Sequence, residues 1–410
     1  MDGQLPLGSR RVLLVEPTFP IPNKSRLHKN FIPIGLLKLA AYYRNSGADV
    51  RLVRGEVPET AIGMYPDTVL VTSLFTYWSG HVMRSVSYYK RLFPNAELVV
   101  GGVYASLMPE HCRRETGCDR VFIGVHEEAE KCRPAYDLLD NKVDFQVLHA
   151  SRGCIRRCSF CGVWRIEKKF EPKRSIKGEI LKPKLVFYDN NLLANPFIDD
   201  ILMELIELRS EGAVKWCESQ SGLDGRVLQE RPRLASLLKK AGFRYPRIAW
   251  DHAYSEHRAI ECQIDILTSA GYESRDIFVF MLYNYDLPYE ELERKRIKCW
   301  EWRVQIADCR YRPLDQTYDR YNPNKRSQDS SAYYVHPSWS DKLVRQFRRN
   351  VRRQNICVRY QLPFYSRALE NKWVRKDLAA RARHLEDKHE MAKLLSAEGV
   401  DYWFPNQEMD

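Results

Sequence analysis

Short, wholly apolar runs alternate with stretches of helical periodicity through the first third of the chain. Arg11-Val-Leu-Leu-Val-Glu16 offers no inner polar position to water, the pattern of a strand buried on both faces of a parallel sheet. Prolines at 17, 20 and 22 end it. A polar loop through Lys24, Arg26, His28 and Lys29 leads to Pro33-Ile34-Gly35. Beyond it Leu36, Leu37, Leu39, Ala40 and Tyr43 fall at helical spacing, and Gly47 is placed as the stop. Strands are predicted over 49–54, 68–72 and 98–100, with a helix over 80–93 between the last two and Gly101-Gly102 closing the third. Strands alternating with helices at these lengths predict an α/β doubly wound, Rossmann-like sheet. Residues 1–135 are assigned to this domain, and 131–150 read as a linker.

The alternation resumes downstream. Strands are predicted over 184–191, 215–221, 247–251, 276–283 and 304–307. The intervening helices are expected over 197–209, 228–241, 259–270 and 288–302, with Gly242 and Gly271 closing the second and third. Together with the strand leading into Cys154 this makes about six βα units, a partial (β/α)6 TIM-like barrel over 136–315 whose strand ends share one mouth. Lys168 to Lys177 reads as a solvated loop, the alternative being that it crosses the ligand face. Residues 316–410 are expected to form a basic, aromatic C-terminal capping domain, with charged amphipathic helices over 340–353 and 373–394.

Composition narrows the setting. No apolar run approaches the ~20 residues of a membrane span, and Met-Asp-Gly-Gln-Leu-Pro-Leu-Gly lacks the layout of a signal peptide, so a cytoplasmic protein is expected. Eleven cysteines scattered over 410 residues are then expected to be reduced, buried or metal-bound. The net charge of +12 suits an anionic cofactor or acidic partner as well as a nucleic acid, and the excess is concentrated late, as in 342–353. Arginines interleaved with Tyr318, Tyr321, Tyr333, Tyr334, His336 and Trp339 could close the barrel mouth over a substrate or stack on bases.

The chemistry centres on Ser151-Arg-Gly-Cys154-Ile-Arg-Arg-Cys158-Ser-Phe160-Cys161-Gly162. Three thiolates at C-x3-C-x2-C spacing can hold three irons of a 4Fe-4S cluster and leave the fourth open for chemistry. A zinc knot needs a fourth ligand, commonly from a second C-x2-C pair, which this chain lacks; three packed thiols are the blander alternative. The predicted strand ends of the first domain carry Thr72, Ser73, Thr76, Tyr77 and Trp78, then Gly101, Gly102, Tyr104 and Ala105, then Gly124 and Glu127. Small and hydroxyl residues there admit close approach of a large ligand, although tight turns without a ligand look the same. The barrel strand ends carry Tyr188, Asp189 and Asn190, then Glu218 and Gln220 with Arg226 just beyond, and later Asp251 and Tyr283.

The cysteine loop resembles that of the radical S-adenosylmethionine (SAM) enzymes, whose signature is C-x3-C-x-aromatic-C. With the preceding Ser-x-x-Thr, Gly-Gly and Gly-x-x-Glu elements, the chain is similar to their cobalamin-binding C-methyltransferase class. The resemblance implies a 4Fe-4S cluster on Cys154, Cys158 and Cys161, SAM, and cobalamin. It places Phe160, Tyr188, Asp189, Asn190, Glu218, Gln220 and Arg226 near SAM, and the strand-end residues of the first domain near cobalamin. Asp251 and Tyr283 are the candidate catalytic residues. No Asp-x-His-x-x-Gly motif occurs, so no histidine is assigned as lower cobalt ligand, and Tyr77 or Trp78 could cover that face.

The expected activity is methylation of an unactivated sp3 carbon through a 5'-deoxyadenosyl radical and methylcobalamin. The stretch Asn30-Phe-Ile-Pro-Ile-Gly-Leu-Leu-Lys38 and the compact chain resemble archaeal protein glutamine C-methyltransferases that modify methyl-coenzyme M reductase, which implies a protein or peptide substrate. An electron donor such as ferredoxin or flavodoxin is implied too. The alternatives are non-methylating radical chemistry and RNA modification. Transfer-RNA methylthiotransferases need three more N-terminal cysteines, and this chain has none before Cys112.

Overall fold

The computed structural model describes residues 11–21, 32–139, 143–329, 331–362 and 388–397, with 376–377 and 380–381. The Lys24 to Lys29 loop, Asn30, Phe31 and most of the helix expected over 373–394 lie outside the described residues.

The first domain runs β1 (Arg11–Glu16), α1 (Ile34–Asn45), β2 (Asp49–Arg54), α2 (Glu59–Ile62), β3 (Thr68–Ser73), α3 (Ser79–Leu92), β4 (Glu97–Gly102), α4 (Val103–Leu107), α5 (Pro109–Thr116), β5 (Arg120–Val121) and α6 (Glu127–Glu130). Its parallel sheet has the order β2-β1-β3-β4-β5. The unbroken apolar run of β1 is explained by its two neighbours. Val12 and Leu14 pack on Leu36, Ala40 and Tyr43 of α1, while Leu13 and Val15 join the core that holds Val82, Val86 and Tyr89 of α3. The strand order reverses between β1 and β3, and in such sheets ligands settle at the carboxyl ends beside that point.

The second half runs β6 (Gln146–Leu148), β7 (Ser151–Arg152), α7 (Val163–Ile166), β8 (Glu171–Pro172), β9 (Lys184–Phe187), α8 (Ile198–Ser210), β10 (Trp216–Ser219), α9 (Gly225–Glu230), α10 (Arg233–Lys240), β11 (Arg247–Ala249), α11 (His257–Ser269), β12 (Phe278–Tyr283), α12 (Tyr289–Glu301), β13 (Gln305–Arg310) and α13 (Asp341–Tyr360). Two three-stranded parallel sheets, β10-β9-β6 and β11-β12-β13, are joined by parallel bridges Cys217↔Phe243 and Leu223↔Ile248. The result is a six-stranded partial barrel.

Three expectations are corrected and one is filled out. The linker over 131–150 contains β6, whose Val147 packs with Leu37 of the first domain. The loop over 168–177 is solvated, with Lys168, Lys169, Glu171, Pro172, Arg174, Ser175 and Lys177 exposed, but its backbone is tied down: β8 pairs antiparallel with β7, and the Lys173 amide donates to Ala150 O at 2.9 Å. The helix over 228–241 is two helices, because Pro232 has no N–H to continue the first. Finally, α13 is no solvated cap. Val344, Phe347 and Val351 share the barrel core with Tyr333 and Trp339, and the helix packs beside α12 and β13. Buried Arg345 is matched by Asp341 at 2.8 Å. With Tyr333 and Trp339 buried, the aromatic tail offers those rings to the core and not to bases.

Candidate functional site

The cysteine loop leaves the barrel through the β7–β8 ribbon. Asp189, fully buried after β9, accepts the Ala150 amide at 3.0 Å, the Ser151 amide at 2.6 Å and the Ser151 hydroxyl at 2.7 Å. Burial nevertheless pushes its carboxyl up to about 6. Gly153 has φ +77°, and a Cβ there would overlap the Lys169 carbonyl oxygen, so only glycine fits immediately before Cys154. Glu167 holds the same point from the other side. Its carboxylate accepts the Gly153 amide and Asn190 Nδ2 at 3.1 Å, and pairs with Arg152 at 2.9 Å. Within the loop, Cys161 N donates to Cys158 O at 3.1 Å, and the Trp164 indole donates to that same oxygen at 3.1 Å.

Cys154, Cys158 and Cys161 are free thiols, each partly exposed. Burial raises the Cys158 and Cys161 thiols, and the other loop thiols push in the same direction. Three soft sulfur donors in one glycine-flanked loop have the donor chemistry an iron–sulfur cluster requires. Among the described residues no three His, Cys, Asp or Glu side chains already converge on a metal-holding geometry.

A cavity of about 580 Å³ lies between the carboxyl ends of the first sheet and this loop. That is the size range of small-molecule and cofactor sites. Thr72, Thr76, Tyr77, Gly101, Gly102 and Gly124 line it from the first domain; Phe160, Gly162 and Asn190 line it from the barrel side. Gly102 sits at φ +99°, where a Cβ would overlap the Ser73 carbonyl oxygen. The Ser73 hydroxyl donates to Gly101 O at 2.7 Å and accepts from Ala105 N at 3.1 Å. The strand-end cradle is thus built from backbone, which leaves room for a large ligand.

Other expected site residues have different places. Trp78 stacks on Phe19 at 5.3 Å, and buried Tyr104 bonds His111 Nδ1 at 2.7 Å beside buried Ala105. Glu127 is exposed at the start of α6. Tyr188 lies edge-on to His149 at 6.4 Å. Glu218 is buried in a pair with Arg247 at 2.6 Å, away from the cavity wall. The Gln220 amide bonds Phe187 O at 2.9 Å, and Arg226 pairs with Asp224 at 3.2 Å. Asp251 is partly buried, its carboxyl raised by burial, and it lies within electrostatic reach of Cys158. Tyr283, the other catalytic candidate, lies in the core and not on the cavity wall. Along β12, Phe278, Phe280 and Leu282 alternate with the more deeply buried Val279, Met281 and Tyr283. Leu282 reaches the cavity, whereas Tyr283 is 1% exposed between Trp339 and Phe347 in the core.

The site also contains charges that sequence reasoning missed. Lys38, buried in the apolar face of α1, donates to Glu130 Oε1 at 2.6 Å. Arg152 reaches His149 Nε2 at 2.7 Å. Burial, reinforced by the Arg152 charge, holds His149 well below its ordinary pKa. A neutral ring accepting at Nε2 carries its proton on Nδ1, which faces Glu130 Oε1 at 4.0 Å. Lys38, Glu130, His149, Arg152 and Glu167 all line the cavity. Arg312, which also lines the cavity, lies over Tyr77 at 4.6 Å. A lysine inside the run Leu36-Leu37-Lys38-Leu39-Ala40 was the available signal.

Residues 25–132, within the doubly wound first unit, match the family model of the B12 binding domain. Three quarters of the chain shares the fold of a solved radical SAM methyltransferase. It is similar to TsrM from Kitasatospora setae with cobalamin and a [4Fe-4S] cluster bound, at a TM-score of 0.54 and 15% identity over 75% of this chain and 77% of that one. It is likewise similar to the same enzyme with its tryptophan substrate and aza-SAM bound, at a TM-score of 0.55 and 15% identity over 75% of each chain. No curated protein matches the sequence.

Proposed function

We propose that this protein is a cobalamin-dependent radical SAM C-methyltransferase, with Cys154, Cys158 and Cys161 as cluster ligands. One observation carries the reading: a single cavity takes its walls both from the strand-end glycines of the B12 binding domain and from Phe160 and Gly162 of the cysteine loop. When bound, cobalamin supplies a methyl carrier and the reduced cluster cleaves SAM. The chain's own task is to hold both groups and a carbon atom within contact range, away from water. Gly101 and Gly102 would admit the corrinoid, Asn190 and Phe160 would line the SAM side, and Asp251 would stand near the thiols.

The finer proposal is an unactivated sp3 carbon on a protein side chain such as glutamine. The test is anaerobic incubation of the holoenzyme with SAM bearing a deuterated methyl group, a reductant and glutamine-containing peptides, followed by mass spectrometry. The expected result is label on the peptide and none with Cys158→Ala. Formation of 5'-deoxyadenosine without methyl transfer would favour non-methylating radical chemistry. The RNA-modifying alternative has less support, since Tyr333 and Trp339 are buried.

Among the described residues no helix is long and apolar enough to cross a membrane.

A further inference from the structure

We infer that a lip of tyrosines at the cavity mouth, flanked by Asp286 and Asp315, receives a cationic side chain of a polypeptide substrate. The inference rests on the protein-substrate reading above and adds the charge that the substrate carries beside its reacting residue. Four half-buried rings meet there. Tyr285 lies 4.3 Å from Tyr311 and 6.4 Å from His336, and Tyr311 lies 5.8 Å from Tyr334. None of the three tyrosines belongs to the barrel core.

One residue builds the lip. Asn284 is fully buried, and its backbone is left-handed at φ +61°, a conformation that asparagine tolerates better than most residues. Its side-chain amide donates to Tyr334 O at 3.0 Å and to Tyr311 O at 3.5 Å, and its Oδ1 accepts the His336 amide at 2.9 Å. The Trp339 indole holds the next residue by donating to Tyr285 O at 3.2 Å. Three chain segments are thereby fixed with their rings together and half open to solvent.

The lip runs into the cavity already described. Tyr311 and Phe160 both line that cavity. Phe160 stands edge-on to Tyr285 at 6.0 Å, and the Ser159 and Tyr285 hydroxyls share a hydrogen bond at 3.1 Å. A side chain held on the tyrosines therefore leaves its neighbours in the substrate chain at the entrance, next to the cysteine loop.

The protein carries a net charge of +12, yet the charges at the lip are of the other sign. Asp286 and Asp315 are exposed, and both lie within electrostatic reach of Tyr311; Asp286 also comes within 3.9 Å of His336 Nε2. Among the described residues no lysine or arginine pairs with either carboxylate. Arg312, the next residue along, is occupied by Asp319 at 2.5 Å and lies over Tyr77. Ring faces beside carboxylates favour an ammonium or guanidinium, because the ring quadrupoles and the acids attract it together. A nucleic acid could stack on the rings, but its phosphates would meet two carboxylates.

The test measures binding of two labelled peptides to the holoenzyme by fluorescence anisotropy, without SAM, so that no turnover is required. Both are centred on glutamine; one is flanked by arginines and its twin by glutamates. The arginine peptide should bind at least about tenfold tighter, with the difference shrinking as salt is raised. Asp286→Asn combined with Asp315→Asn should remove most of that difference. Tyr334→Ala should weaken binding of the arginine peptide about fivefold, and Tyr334→Phe, which keeps the ring face, less than about twofold. Equal binding of the two peptides would overturn the inference. So would an undiminished preference in the doubly substituted protein, or an oligouridylate that binds tighter than the arginine peptide. The methyl-transfer reading is judged separately, by label from SAM on the same peptides. No label with the arginine preference intact counts against that reading and supports the docking surface; label on both peptides with equal binding does the reverse.

Discussion

The carboxylate of Glu167 accepts the backbone amide of Gly153, one residue before Cys154. A side chain from beyond α7 thereby sets where the cysteine loop begins, while Arg152 and Asn190 hold that carboxylate in turn. Glu167→Ala should leave Arg152 with only the more distant Glu130 carboxylate, at 3.9 Å, and the Gly153 amide without an acceptor, at a cost of about 2–4 kcal/mol in thermal or denaturant unfolding. Iron uptake should fall with it. Glu167→Gln, which keeps one acceptor, should lose less of both.

Asp189 gives a pH signature. Its folded pKa, about 6, lies above the usual 3.8 of an aspartate. The native state therefore binds this proton more tightly than the unfolded chain does. The stabilisation is complete below pH 3.8 and is lost as pH rises to about 6; it amounts to about 3 kcal/mol. Asp189→Asn lacks this dependence. Urea midpoints measured from pH 4 to 7 should show the parent's advantage over the variant narrowing as pH rises; a constant gap would contradict the assignment.

Tyr283 should behave as core. Tyr283→Phe should keep methyl transfer and stay within about 1 kcal/mol of the parent, whereas Tyr283→Ala should cost about 3–5 kcal/mol by cavity formation. A large loss of turnover in the stable Phe variant would return the hydroxyl to catalysis.

Gly102→Ala places a methyl group against the Ser73 carbonyl at a left-handed backbone position. The strain should cost about 1–3 kcal/mol and, by shifting the β3–β4 ends, reduce corrinoid retention measured by visible absorption after gel filtration.

Most strands were legible because each is a short apolar run bounded by turn residues, and β1 has no polar face to confuse the reading. That same uniformity hid Tyr283. Phe278 to Tyr283 is apolar at every position, so the sequence carries no alternation to say which parity faces the barrel interior. The basic residues of α13 read as solvated because the aromatic core beneath the helix becomes visible only in space, whereas the Asp341–Arg345 pair, four residues apart on one helix, was within reach of the sequence. The Lys38–Glu130 pair joins positions 92 residues apart and has no local signature. The cysteine motif needed no fold to be seen; the clamp around it did.

The most direct test of the central claim is the EPR spectrum of the anaerobic, reduced protein before and after addition of SAM. An iron without a protein ligand predicts a 4Fe-4S signal whose g values change when SAM binds, and loss of that signal in Cys158→Ala. A reduced-cluster signal indifferent to saturating SAM, or a metal-loaded loop with no iron–sulfur signal at all, would contradict it.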